Sequence, residues 1–168
     1  MITLRLLTES DAEQFKSLRL VAIENSPTAI WPTREEQMVL TLEQIADRIR
    51  KTSIQAVFGA FDGEVLVGIT GIRREPLQQV AHMATVWGVF VGPSHRGHGI
   101  AQKLLAAATA HVAEKWKCVQ LMLWVNTENT PAKGLYASQG FQKIGMAPRA
   151  LRVNGRFYDE EHMYKPLL

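Results

Sequence analysis

Residues 86–105 constrain this chain more than any other stretch: V-W-G-V-F-V, then G-P-S-H-R-G-H-G-I-A, then an amphipathic continuation. The first run is apolar and strand-like, and Gly92 and Pro93 punctuate it. Beyond the glycine-dotted loop, Ile100, Leu104, Ala108 and Val112 recur at helical spacing, with Leu105 and Trp116 near the same face. The order strand, Gly-rich turn, helix therefore puts the turn at a helix N-terminus. There the first N–H groups lack intrahelical partners and the macrodipole is positive, which makes an anion site. Gly97 and Gly99 have no Cβ, so the backbone can take φ > 0 and a phosphate can approach it closely. The stretch predicts a diphosphate cradle.

A G-x-G pair alone is weak, and a solvated turn between two elements is its bland alternative. A Walker loop needs Lys and Ser/Thr after its last glycine, but Ile100 and Ala101 follow Gly99. A dinucleotide fingerprint needs Gly or Ala three positions later, where Gln102 stands. Arg96-x-x-Gly99-x-Ala101 is the pattern that remains.

At 168 residues the chain is most simply one domain, 1–168. A chain of that size buries about 70% of its unfolded surface. With 46% hydrophobic and 21% charged residues and no low-complexity tract, it has the composition of an ordinary globular protein. Its longest apolar runs are far short of a membrane span, and the N-terminus lacks signal-peptide architecture, so a cytoplasmic location is expected. A formal charge of +3 is too small to argue for nucleic acid, but it suits a polyanionic ligand. The single cysteine, Cys118, opens an apolar run and reads as a buried structural thiol.

In chain order, residues 2–6 read as a strand. Thr8 to Asp11 has capping-box form, and Ala12, Phe15, Leu18 and Ala22 give a first helix ending near Glu24. Residues 28–40 have mixed chemistry and read as a loop or a broken helix. Thr41 to Gln44 is a second capping box, opening a short helix with Leu42, Ile45 and Ile49. Two strands then meet at Asp62-Gly63, and residues 82–91 form the strand before the cradle. The long helix ends near Lys117. Residues 119–125 are continuously apolar, as in a central strand. Thr130 and Pro131 suit an N-cap and first helical residue, and Gly140 closes that helix. Asn154-Gly155 joins the last two strands. The expectation is a mixed α/β (α+β) fold, a mostly antiparallel sheet of about seven strands flanked by about four helices.

A second motif lies downstream. Asn126, Asn129, Ala132, Leu135, Tyr136, Gly140 and Phe141 follow Asn-x-x-Asn-x-x-Ala-x-x-Leu-Tyr…Gly-Phe. Together with the cradle pattern this closely resembles the GNAT superfamily of acyl-CoA-dependent N-acyltransferases, over roughly residues 54–166. The resemblance implies a strand splayed from its neighbour, with acyl-CoA wedged into the gap. Backbone groups of Val89, Phe90 and Val91 would then bind the pantetheine arm, one N–H pointing at the thioester carbonyl. Arg96, Gly97, His98, Gly99, Ile100 and Ala101 would hold the pyrophosphate, Asn129 would bind the cofactor and Tyr136 would face its sulfur. The implied enzyme is an acetyl-CoA-dependent N-acetyltransferase acting on a primary amine, first of a small molecule and second of a peptide or protein. A non-catalytic acyl-CoA-binding or regulatory module is the alternative. A homodimer, common in the family, is an expectation; nucleic acid, membrane and metal are not expected.

Acetyl transfer needs a neutral amine, donors for the developing oxyanion and a proton for the departing thiolate. A tyrosine with a pKa of about 10 stays protonated at neutral pH, so Tyr136 is the candidate general acid. The base is unassigned. Val80 to Val91 holds no carboxylate; His82 is its titratable residue, and Glu64, Asp159, Glu160, Glu161 and His162 are candidates with solvated surface charge as their default. His95 and His98 lack Cys or carboxylate partners at ligand spacing. Trp87 and Trp124 read as core, Trp116 as the close of the long helix, and Trp31 as a substrate-pocket residue or loop anchor. Specificity is expected from residues 26–40 and 149–159, where Arg149, Arg152 and Arg156 offer charge to an acidic group and Asp159 and Glu160 to an ammonium, a mixture that a solvated hairpin explains equally well.

Overall fold

The computed structural model describes Met1–Leu168. Its strands are β1 (Ile2–Leu6), β2 (Gln55–Asp62), β3 (Val65–Arg74), β4 (Met83–Val91), β5 (Gln120–Asn126), β6 (Gln142–Val153) and β7 (Arg156–Pro166). Its helices are α1 (Ala12–Asn25), α2 (Arg34–Met38), α3 (Leu42–Ile49), α4 (Ile100–Ala110) and α5 (Thr130–Ser138). The strands form one sheet in the order β1-β2-β3-β4-β5-β7-β6. Every neighbouring pair is antiparallel except β4 and β5, which run parallel.

Alternation along β2 shows why the sheet is covered on both faces. Val57 and Phe61 join Phe15, Leu18, Ile45 and Ile49 of α1 and α3 in one buried cluster. Ala56 points the other way, into a cluster with Leu105 and Ala108 of α4 and Tyr136 of α5. The helices thus form a layer on either side. None is long and apolar enough to cross a membrane.

Local chemistry accounts for most element ends. Asn154 and Gly155 both take positive φ, 50° and 80°, as a two-residue hairpin turn of the primed type requires. The loop-or-broken-helix segment contains α2, opened by a capping box. The Thr33 hydroxyl accepts the Glu36 N–H at 3.1 Å, and the Glu36 carboxylate accepts the Thr33 N–H at 3.0 Å. One cap differs from expectation. Asn129, not Thr130, caps α5, because its Oδ1 accepts the Ala132 N–H at 3.2 Å, and Thr130 and Pro131 become the first helical residues. The long helix also changes character, passing from α4 into a single π-helical stretch at His111–Lys115.

Asp11 ties the first helical turn to β1. Its carboxylate receives Arg5 Nη1 and Nη2 at 2.8 and 2.9 Å and the Thr8 N–H at 2.7 Å. The Arg5 hydrogen bonds, chiefly, hold this carboxyl below the ordinary aspartate range. Asp11 is buried while Arg5 is half-exposed, so solvent screens part of the pair. Asp11→Asn is expected to cost about 1–2 kcal/mol of stability in urea denaturation at neutral pH. Because the folded pKa is depressed, this contribution is present above the unfolded pKa of about 3.9 and is lost as pH falls through the folded value. The difference between variant and wild type should therefore shrink in acid.

Candidate active site

The parallel pair at the centre of the sheet is short. β4 and β5 pair only at Met83–Gln120, Ala84–Leu121 and Thr85–Met122. Beyond that they diverge, leaving residues 86–91 and 123–126 facing each other across a gap. A β-bulge lies at the point of divergence. Ile69 pairs with Phe90 and Gly71 with Trp87, so Gly88 and Val89 stand opposite Thr70 alone. Gly88 takes φ 65°, a conformation open to glycine at little cost.

At the end of the gap lies the cradle, a hollow of about 220 Å³ lined by Val91, Arg96, Gly97, Gly99, Ile100 and Ala101 among others. Gly97 and Gly99 have φ of 80° and 75°; a Cβ at Gly97 would stand in open space and one at Gly99 would meet only Gln102 Oε1, at 4.0 Å. Gly99 is the N-cap of α4, so the N–H groups of the helix's first turn face this hollow's lining. Arg96 shapes the loop from within. Its Nε donates to the Val91 carbonyl at 3.0 Å and its Nη2 to Asn25 Oδ1 at 2.8 Å. His98 is exposed and lies outside the lining residues. His95 Nε2 meets Asp62 Oδ2 at 3.0 Å, and no group of three or more His, Cys, Asp or Glu side chains is placed to hold a metal.

A second cavity, a cleft of about 580 Å³, opens beside the same strand. Arg19 of α1, Trp31 and Pro32 from the α1–α2 loop, Arg48 of α3, residues 85–88 of β4, Trp124 of β5 and Glu160 of β7 line it. Two expectations are corrected here. Trp87 is not pure core: its indole lies over Gly71, where a Cβ would stand 2.2 Å from Cε2, and its free side walls the cleft. Trp124 is 41% exposed, walls the cleft and stacks on His162 with ring centroids 4.1 Å apart.

Glu160 overturns the expectation of a solvated surface charge. It is 5% exposed and receives the Trp31 indole N–H at 3.2 Å. Burial pushes its pKa up, against the opposing pull of the Trp31 hydrogen bond. Of the other base candidates, His162 stacks on Trp124 at the cleft wall and burial holds its pKa below the ordinary histidine value, whereas the rest are placed elsewhere. Glu161 pairs with Lys133 at 3.1 Å and Lys143 at 3.7 Å, Asp159 accepts the Arg149 N–H at 2.9 Å, and Glu64 and His82 are exposed away from the cleft.

Tyr136 is buried across the gap, in the cluster that also holds Val86 of β4 and Val125 of β5, its ring edge-on to Phe141 at 5.9 Å. Burial pushes its hydroxyl pKa up to about 12. Asn129 spends its Oδ1 on the helix cap, which leaves its Nδ2 as the group free to meet a ligand.

The arginines expected to meet an acidic group are engaged differently. Arg156 pairs with Glu128 at 2.9 Å, and Arg149 and Arg152 lie over the Phe157 ring. The arginines of the cleft are Arg19 and Arg48. Their one sequence signal was Arg19 itself, a charge four residues after Phe15 on the apolar stripe of α1.

A sheet opened between central parallel strands, with a phosphate-sized cradle at one end of the gap and a cleft beside it, is the architecture of the acyltransferase class the two motifs resemble. The comparison with protein families agrees. Residues 18–141 match the acetyltransferase (GNAT) family, and the chain belongs to that family. It is similar to the N-alpha-acetyltransferase RimI of Mycobacterium tuberculosis, 34% identical over 101 residues, 58% of each chain. It is also similar to the L-2,4-diaminobutyric acid acetyltransferase of Streptomyces anulatus, 26% identical over 152 residues, 88% of this chain and 84% of that one. Among solved structures it resembles yncA of Salmonella typhimurium, solved with its cofactor acetyl-CoA, at 19% identity and a TM-score of 0.85 over 100% of this chain and 95% of that one. The chain spans 29% and 58% of the lengths of the two mycobacterial relatives it matches, the first an uncharacterized Mycobacterium leprae protein.

Proposed function

We propose that this protein moves an acetyl group from acetyl-CoA to a primary amine of a small molecule, by direct attack in a ternary complex. The observation that carries the reading is the convergence on β4. The phosphate-sized cradle, the gap and the cleft all share this strand, and Tyr136 and Glu160 lie on different sides of it. The residues fit the cofactor by their own chemistry. Gly97 and Gly99 leave room for a diphosphate against the first turn of α4, and residues 86–91 have ladder groups free along the gap for an extended amide chain.

Bound acetyl-CoA supplies an activated thioester. Glu160 takes a proton from the ammonium form of the acceptor, whose pKa is near ~10.4 when free in water. A buried carboxylate with a raised pKa is a better base than a solvated one. One N–H among Val89, Phe90 and Val91 is assigned to the carbonyl oxygen as it gains charge. Tyr136 then donates its proton to the departing thiolate sulfur. Trp31 holds Glu160 in place through its indole N–H.

The cleft is of small-molecule size, which favours a free amine over a folded protein's N-terminus. The named activity of the diaminobutyric acid relative supports the same class, while that of RimI, an N-alpha-acetyltransferase, supports an α-amine. Release of free CoA thiol across amino acids, polyamines, aminoglycosides and lysine peptides tests the proposal. Amine-dependent release is the expected result. Acetyl-CoA binding with no release from any acceptor would instead favour a non-catalytic module.

A further inference from the structure

Arg19 is 4% exposed, yet no carboxylate pairs with it. A buried guanidinium without a counter-charge is costly, so its retention calls for a partner. The aromatic and charged groups that bear on it are Trp87 and Arg48. The Arg19 Cζ lies 5.7 Å from the Trp87 ring centroid, and Arg48 reaches the same ring at 5.9 Å. Burial and, secondarily, repulsion from Arg48 bring its pKa down to about 10, so it keeps its charge at neutral pH. One guanidinium nitrogen sits against the bulge, 3.2 Å from where a Gly88 Cβ would be. A side chain at position 88 would therefore crowd it.

Both arginines line the cleft, and so does Glu160. Arg19 and Arg48 come from α1 and α3, whereas Glu160 comes from β7 and is held by Trp31. The same cleft is also lined by Glu36 of α2, whose carboxylate accepts the Thr33 N–H in that helix's capping box. The cleft thus carries two arginines from α1 and α3 and two carboxylates, one committed to a cap and the other, Glu160, held by Trp31.

We propose that Arg19 and Arg48 form a subsite for the carboxylate of the acceptor, so that the acceptor is an amino acid whose ammonium meets Glu160. This rests on the acetyltransferase reading and narrows its substrate class. Two cations beside an indole face suit a planar anion, and the fork of Arg19 can donate two parallel hydrogen bonds to it. A neutral or polycationic amine would leave Arg19 buried and unpaired.

The experiment uses α-, β- and γ-amino acids, each beside its carboxamide and its decarboxylated amine, with wild type, Arg19→Met and Arg48→Gln. In wild type, kcat/KM should favour the free acids over the uncharged analogues by about 10–10²-fold, carried mainly by KM. Arg19→Met should abolish that preference, raising KM for the free acids by far more than for the decarboxylated amines, and Arg48→Gln should weaken it. Because Arg19 lacks a partner in the free protein, Arg19→Met should also raise Tm rather than lower it. A merely structural arginine would do the reverse, and if Arg19→Met fails to fold, Arg48→Gln still reads the preference. Equal loss on acids and amines, or no preference in wild type, would overturn the subsite. Failure of the acetyltransferase reading looks different: no acceptor turns over. Quenching of the cleft tryptophans by the same amino acids, and not by their carboxamides, would then still report the subsite.

Discussion

Glu160→Gln should lower kcat/KM for the preferred amine by about 10²–10³-fold at neutral pH, the usual contribution of a positioned base. The substitution keeps the size of the side chain and its bond from Trp31, so Tm should move little and acetyl-CoA binding not at all. The pH profile distinguishes a base from a mere contact. Burial raises the Glu160 pKa above the ordinary carboxylate value, so wild-type activity should fall as pH drops through that raised value. The glutamine variant has no such group. Its rate should climb with the fraction of free amine, about tenfold per pH unit until the amine pKa near ~10.4, and so recover in alkali. A variant with the wild-type profile would remove Glu160 from the chemistry.

Tyr136→Phe is the complementary case, with an expected loss in kcat of about 10–10³-fold. Phenylalanine keeps the ring, and with it the edge-on contact to Phe141 and the place in the core shared with Val86 and Val125. Stability and acetyl-CoA affinity should therefore be preserved, and the loss can be assigned to the hydroxyl. With a pKa of about 12 that hydroxyl stays protonated throughout the working range, so the loss should be flat with pH. This contrasts with the alkaline recovery of Glu160→Gln. Unchanged turnover would make Tyr136 a core residue that happens to border the gap.

The parts of this molecule that were legible in the sequence are those whose signals are local. The strand, glycine turn and helix at residues 86–105 follow from spacing and from the backbone freedom of Gly97 and Gly99. The hairpin at Asn154-Gly155 and the capping box at Thr41 are likewise contained within a few residues. Glu160 was named but read as solvated, because its burial depends on Trp31, 129 residues away in sequence. Arg19 has a local mark, its place on the apolar stripe of α1, but its role depends on residues from α3 and β4. A helical pattern tells that a face is covered, not that the cover has a hole in it. The same limit applies to Trp87 and Trp124, whose strands are central but border the gap. Arg149, Arg152 and Arg156 show the converse, since charges in a promising hairpin found partners in Phe157 and Glu128.

The separation of β4 from β5 has one further consequence. It gives the sheet two extra edges, not at its rim but in its middle, roofed by helices on either side. Such edges carry unpaired ladder groups, the kind that invite strand addition. The domain is consequently held together across its waist by three residue pairs and by the helices, and it is the cofactor that would act as the missing strand. Binding energy of this kind is folding energy. The melting temperature should rise with acetyl-CoA concentration, by about 2.7 kcal/mol of added stability at a hundred times Kd. Amide exchange should slow most in residues 86–91 and 123–126, where the two halves of the sheet would be sewn together.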